Sequence, residues 1–233
     1  MFTKSADLYD LLYSHKNYQE ESAILNQLIK TEAPQARTVL DICCGTAEHH
    51  LYLSTDYTIE GLDINPDFIR IAQEKNPDIA YHTADMIDFN LQKKYDVILC
   101  LFSSIGYVKS MDNLISTLTC FNHHLHTGGL VILEPWLTPE MWSDGKVHML
   151  NYSDDRVKAC RMNRSESVDN ISILDFHYVV GTPETGVSYF NEKHELALFT
   201  REEMTTAFSE AGFSIGYRQH QVSERGLYVA VKK

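Results

Sequence analysis

Short apolar runs separated by helical segments constrain this chain more than any other feature. Thr38–Ile42 (TVLDI), Thr58–Leu62 (TIEGL), Ile79–His82, Tyr95–Leu101 (YDVILCL) and Leu130–Glu134 read as five buried strands. Leu25, Leu28 and Ile29 recur at helical spacing within residues 18–31, and Pro34 stops that helix. A turn over Cys43–Ala47 leads into a short helix ending near Leu53. Asn65 caps a helix that carries Pro66 at its first position and an acid, Asp67, in its first turn, and runs to about Lys75. Met111–Leu125 places Leu114, Leu118, Phe121 and Leu125 on one face, with Gly128-Gly129 as the stop. Alternation of this kind predicts an α/β fold built on a doubly wound, mostly parallel sheet.

Beyond Glu134 the pattern changes. Residues 135–155 hold both Trp and two Pro with little periodicity and read as a long loop. Val157–Met162, Ile171–Val180 and Val187–Leu198 read as antiparallel strands, with a Gly181-Thr182-Pro183 turn between the last two. Thr200 and Glu203 form a capping-box pattern for a helix through Ala211. Phe213–His220 and Gly226–Val231 then complete a seven-stranded core sheet. The expected division is a core of residues 1–134 and 199–233, with a β-rich antiparallel insertion, 135–198, between the fifth and sixth core strands.

Composition narrows the function classes. The chain has 233 residues, 44% of them hydrophobic, enough for a sizeable core. A formal net charge of −12 disfavours nucleic-acid partners and anionic membrane surfaces, while a small anion held by local Arg or Lys residues remains compatible. No run of 18 apolar residues and no signal-peptide core is found, so no membrane span is expected. Five Cys without ligand spacing read as reduced thiols of a cytoplasmic protein.

Ligands of doubly wound sheets bind beyond the carboxyl ends of the strands, so the residues just after each strand carry the information. The first strand ends in Asp41-Ile42-Cys43-Cys44-Gly45-Thr46-Ala47, a small-residue turn that lets backbone amides approach a ligand. Its one glycine, Gly45, falls short of the dinucleotide fingerprint. Asp63 ends the second strand, 18 residues beyond Gly45, where a carboxylate can accept from both hydroxyls of a ribose. Asp85 and Met86 follow the third strand and suit an adenine amino group and ring face. This trio fits adenosine in either a nicotinamide cofactor or S-adenosylmethionine; its order is the one expected of S-adenosylmethionine in class I methyltransferases. After the fourth strand, Phe102-Ser103-Ser104-Ile105-Gly106-Tyr107 is a polar, aromatic stretch where the reacting centre should lie.

LFSSIGY, GGLVILEPW, RGLYVAV, HTADMIDF, LFTREEMTTAF and residues 5–28 together make the chain resemble the N-methyltransferases that dimethylate the amino group of nucleotide-linked (dTDP) deoxysugars in antibiotic biosynthesis. The resemblance covers almost the whole chain. It implies an S-adenosylmethionine-dependent enzyme with a small-molecule acceptor, and it leaves room for a homodimer. By that resemblance Asp41, Gly45 and Thr46 line the methionine part of the cofactor, Asp63 holds the ribose and Asp85 with Met86 the adenine, and Ile64 is a further cofactor contact. Phe102 and Ser103 approach the sulfonium, and Tyr18 the methionine carboxylate. On the acceptor side it implies Ser104, Tyr107, Glu134, Trp136 and His177, with Arg161 and Arg225 toward a diphosphate. The family's Gly-Thr-Gly is Gly45-Thr46-Ala47 here, its glycine-rich basic stretch is shortened to Ser14-His15, and a Tyr near its N-terminus corresponds to Met1 or Phe2.

Methyl transfer to an amine needs alignment and a dry site more than a strong base, so Tyr107 is expected to orient the acceptor by a hydrogen bond. His49-His50 and His123-His124-x-His126 lack a completing ligand by spacing, and no metal is expected. His177 and His194 read as strand residues facing water rather than proton acceptors. Two other readings stay open: a methyltransferase for another small-molecule amine, hydroxyl or carboxylate, and an NAD-dependent oxidoreductase.

Overall fold

Strands rich in Val, Ile and Leu at successive positions must be covered on both faces, and two cores meet that demand. The computed structural model describes residues 2, 4–219 and 222–233. Met1, one candidate for the family's N-terminal Tyr, and His220, the expected end of a strand, lie outside the described residues. The strands are β1 (Thr38–Ile42), β2 (Thr58–Asp63), β3 (Ala80–Thr83), β4 (Tyr95–Cys100), β5 (Leu125–Leu133), β6 (Val147–Ser153), β7 (Lys158–Val168), β8 (Ile171–Thr182), β9 (Gly186–Ala197), β10 (Phe213–Arg218) and β11 (Leu227–Lys232). The helices are α1 (Tyr9–Leu12), α2 (Tyr18–Glu32), α3 (His50–Leu53), α4 (Pro66–Lys75), α5 (Met111–His123) and α6 (Arg201–Glu210).

Seven strands form one sheet in the order β10-β11-β5-β4-β1-β2-β3, and four form a second in the order β6-β7-β8-β9. In the large sheet β11 alone is reversed, running antiparallel to both β10 and β5, while the other pairs are parallel. The second sheet is antiparallel throughout. Alternate residues of the large sheet divide between its faces. Val39, Ile59, Val97 and Leu99 pack under Leu25 and Ile29 of α2. Leu40, Ile42, Leu62 and Ile98 face Leu114, Leu118 and Phe121 of α5 and Phe208 of α6. A third core joins Leu12 of α1 to the inner face of the small sheet through Ala159, Phe176, Tyr178 and Val180. The strand ends are thereby floored by one sheet and roofed by the other.

Local sequence explains most boundaries. The Asn17, Asn65, Ser110 and Thr200 side chains each accept a backbone N–H in the first turn of the helix that follows, and Thr200 with Glu203 completes a capping box. Two expectations need correction. The helix expected to reach Leu125 ends at His123, and the strand expected from Leu130 begins at Leu125. Leu125 pairs with Tyr95 and Leu130 with Val97, so an irregularity between Leu125 and Leu130 absorbs the difference, and the ladder overrides the helical periodicity. Residues 147–153, expected within a loop, form β6, and the following strand continues to Val168. Here the backbone pairing of β6 with β7, rather than an apolar alternation, sets the structure.

Gly61 of β2 matters for the site. A Cβ there would come within 2.6 Å of the Tyr81 ring and 2.8 Å of the Cys44 sulfur, which belongs to the turn after β1. Gly61→Ala is expected to lower stability by about 1–3 kcal/mol through this overpacking, read as a lower urea midpoint at unchanged slope.

Candidate active site

The ends of four neighbouring strands meet the roof sheet and the N-terminal segment around one cavity of about 540 Å³. The turn after β1 shapes its floor. Cys43, Gly45 and Ala47 all adopt left-handed backbone, with φ of 58°, 56° and 61°. Gly45 has no neighbouring atom within 4 Å of where a Cβ would stand, and it lines the cavity. A side chain there would fill space open to a ligand. Ala47 holds a left-handed position where a Cβ is unfavourable. Relief of that strain is expected to make Ala47→Gly more stable by about 0.5–1 kcal/mol, measured by denaturant unfolding.

Asp63 is buried at the end of β2 and faces the same cavity. Its two oxygens accept from the Gly45 N–H (3.0 Å) and the Asn65 N–H (2.8 Å). Burial pushes its carboxyl up to about 6, with repulsion from Asp41 adding, while the backbone N–H groups of Asn65, Gly45 and Ile64 act in the opposite direction. Asp41 itself accepts from His50 Nε2 at 3.0 Å, and His50 Nδ1 meets the Tyr81 hydroxyl at 3.0 Å. Thr46 donates to Asp10 at 2.5 Å, which ties α1 to the turn. Asp85, Met86, Ile64 and Tyr18 also line the cavity. Met86 packs its sulfur 3.6 Å from that of Cys43.

After β4, Phe102 and Ser103 are left-handed at φ 51° and 65°. Neither is glycine, so the loop needs an external hold. Glu134, 2% exposed, supplies it: one oxygen accepts from the Phe102 N–H at 2.8 Å, and the other from Arg225 at 2.6 Å. The Ser103 hydroxyl donates to the Pro135 carbonyl at 2.7 Å. Phe102, Ser103, Ser104, Tyr107, Trp136, Arg161 and Arg225 reach the cavity wall.

Two expected acceptor contacts are not brought to the cavity. Glu134 lies behind the wall as the brace of the Phe102 loop. His177 is exposed on the outer face of β8, paired with the Tyr189 hydroxyl (2.6 Å) and Asp175. His194, expected to face water, is 1% exposed and holds the Tyr107 hydroxyl at 2.7 Å. Sequence reasoning also misses Tyr9, Tyr13, Phe176, Asn163 and Ser165, all of which line the cavity. The four-residue spacing of Tyr9 and Tyr13 is a usable signal, since it puts both on one helical face. Asn163 and Ser165 alternate with Arg161 along β7, so this strand presents a polar face to the cavity. That polarity leaves no apolar alternation to mark the strand beyond Met162.

A seven-stranded sheet with one reversed strand near its edge, and ligand-facing carboxylates at successive strand ends, defines a class I methyltransferase. Residues 39–129 match the Methyltransferase domain family. The chain is 34% identical over 229 residues to the dTDP-3-amino-3,6-dideoxy-alpha-D-glucopyranose N,N-dimethyltransferase of Streptomyces fradiae, covering 97% of this chain and 90% of that protein. Its fold superposes on the crystal structure of Streptomyces venezuelae DesVI with a TM-score of 0.93 at 33% identity, covering 99% of each chain. It also matches SAM-bound CalS10, an amino pentose methyltransferase from Micromonospora echinaspora, with a TM-score of 0.88 at 29% identity and 97% of each chain covered. The chain belongs to the family of these sugar N-methyltransferases. It is an enzyme, and its cofactor is S-adenosylmethionine.

The residues present fit that group. Gly45 leaves a cradle that a Cβ would occupy, and Asp63 offers a buried carboxylate suited to a diol. Among the described residues no cluster of His, Cys, Asp or Glu that could hold a metal is found, and no helix is long and apolar enough to cross a membrane. Asp63 gives the cavity an acceptor that titrates near working pH. A carboxylate accepts two hydroxyl protons, whereas a protonated carboxyl gives one acceptor away, so affinity for S-adenosylhomocysteine is expected to fall up to tenfold per pH unit below about 6. Calorimetry from pH 8 to 5 reads this, and Asp63→Asn should bind weakly and flatten the profile. The free protein shows the opposite sign. Its carboxyl binds a proton more tightly folded than unfolded, so this residue's stabilising contribution is lost as pH rises from 3.8 to about 6.

Proposed function

We propose that the enzyme N-methylates the amino group of a nucleotide-linked (dTDP) aminodeoxysugar, in a cytoplasmic antibiotic pathway. The observation that carries this reading is a set of buried donors on the acceptor side of the cavity. Arg161 Nε, Asn163 Nδ2 and Arg225 Nε are all buried without a hydrogen-bond partner, and their residues all line the cavity. Buried donors left unpaired are costly, which supports a ligand rich in acceptor oxygens, such as a sugar diphosphate. Arg161 is 8% exposed, donates to the Tyr13 hydroxyl at 2.9 Å and lies 4.1 Å over the Phe176 ring. Aromatic surface beside a guanidinium suits a nucleotide, which carries both a ring and phosphates. The relatives act on dTDP-3-amino and dTDP-4-amino sugars. Five free thiols support a reducing compartment.

S-adenosylmethionine supplies a methyl group on a positively charged sulfur, which an amine lone pair displaces in line. The chain's part is to hold and orient the amine and exclude water. Tyr107 serves orientation. Burial pushes its phenol well above the usual range, so the hydroxyl stays protonated and acts through hydrogen bonding. Asp63, Asp85 and the Gly45 turn hold the adenosine end, and Arg161 with Arg225 the diphosphate.

Incubation with S-adenosylmethionine and a dTDP-3-amino-3,6-dideoxysugar, followed by mass spectrometry, tests the reading. Products with one and two added methyl groups are expected, and the same sugar without its nucleotide should react about a hundredfold less efficiently. A protein that leaves the nucleotide sugar untouched while methylating another small amine overturns the assignment. Tyr107→Phe is expected to lower kcat by about ten- to a hundredfold, with S-adenosylhomocysteine affinity nearly unchanged.

A further inference from the structure

His194 occupies β9 directly behind Tyr107, and its ring is the only imidazole in contact with that hydroxyl among the described residues. Its Nδ1 lies 2.7 Å from the Tyr107 oxygen. Its Nε2 is buried with no hydrogen-bond partner. The imidazole sits 4.4 Å from the Phe2 ring and 4.9 Å from the Phe176 ring, centroid to centroid. Burial, with the Arg161 charge adding, lowers its proton affinity to about 3, so the ring is neutral at working pH.

A neutral imidazole carries one proton, and two arrangements are possible. If Nδ1 carries it, the ring donates to Tyr107, and the phenol proton is free to point at the acceptor. A proton donated to the amine occupies the lone pair that must attack, so this arrangement opposes methylation. If Nε2 carries it, Nδ1 accepts from the Tyr107 hydroxyl, and the phenol oxygen keeps lone pairs for an amine N–H. The imidazole packs beside the Phe2 and Phe176 rings, and among aromatic neighbours a nitrogen that carries its proton is tolerated better than a bare lone pair.

We propose that His194 is a positioning residue: its Nδ1 takes the Tyr107 hydroxyl proton in a hydrogen bond and so turns the phenol oxygen into an acceptor for the substrate amine. The proposal rests on the reading of the acceptor as an amine. His194 acts only through Tyr107. Its role is to set the direction of one hydrogen bond, and its low basicity keeps it from collecting the product's proton.

Two measurements test it. The first needs no substrate. Nitrogen-15 NMR of the imidazole in the free protein is expected to show His194 protonated on Nε2 and unprotonated on Nδ1; the opposite tautomer overturns the proposal even if the acceptor is not a sugar. The second is kinetic, with the nucleotide-linked aminosugar and wild-type turnover as control. His194→Leu removes the acceptor and is expected to lower kcat about tenfold or more, with KM and S-adenosylhomocysteine affinity within about twofold. His194→Asn returns an acceptor oxygen near the Nδ1 position and should recover most of the lost rate, which repacking alone would not do. In the double variant Tyr107→Phe/His194→Leu, the rate should match Tyr107→Phe alone, because the histidine has nothing left to hold. A wild-type kcat in His194→Leu, or losses that multiply in the double variant, overturns it. An inactive wild type would count against the acceptor reading and leave the NMR result to decide this one.

Discussion

A carboxylate buried at the end of β5 holds the reacting end of the site together. Glu134 links three strands, since its oxygens take the Phe102 N–H after β4 and the Arg225 guanidinium before β11. Burying an ion pair is expensive, and such pairs contribute little net stability unless their remaining hydrogen-bonding capacity is used. Here one oxygen serves the guanidinium and the other a backbone amide in a left-handed loop. The return is geometric: two non-glycine residues stay in unfavourable backbone conformations and keep the Phe102–Ser104 segment at the cavity wall. Tyr107 depends on that placement, because it follows directly in the same short turn, Ser104–Val108.

The cavity divides by polarity along the same axis. The floor carries acidic groups, Asp41 and Asp63, close enough for Asp41 to raise the Asp63 carboxyl. The roof carries Arg161, with Asn163 and Ser165 further along β7. Tyr9 and Tyr13 lie 4.7 Å apart, centroid to centroid, on the N-terminal segment, and Arg161 lies 5.3 Å over the Tyr13 ring. The floor thus presents hydrogen-bond acceptors to the cavity, and the roof presents donors. Local buried charge of this kind is set by the cavity wall and not by the protein's net charge of −12.

Legibility in the sequence follows the physics of each element. The parallel strands β1, β2 and β4 are buried along nearly their whole length, and the apolar runs of β1 and β4 in particular stand out from their surroundings. Their strand-end residues inherit their positions from the strands, which is why spacing along the chain suffices to group Gly45, Asp63 and Asp85. By contrast β6 is an edge strand with much of its length exposed, and the second half of β7 turns polar residues toward the cavity. Neither offers an apolar period to read. His177 and His194 lie on neighbouring antiparallel strands, and the sequence treats them alike. The pairing of Leu174 with His194 and His177 with Asn191 sends one imidazole inward and the other outward.

The chain's own residue order determined the doubly wound core and the carboxylates at its strand ends, because short-range periodicity and strand-end spacing are local properties; the class of chemistry came from the family resemblance of its motifs. Only tertiary structure decided which polar residues of β7 and β9 face inward, that Glu134 lies behind the cavity wall holding Phe102 and Arg225, and that His194 meets Tyr107 from 87 residues away. Strand register sets those outcomes, and a shift of one residue would reverse every side chain of the roof.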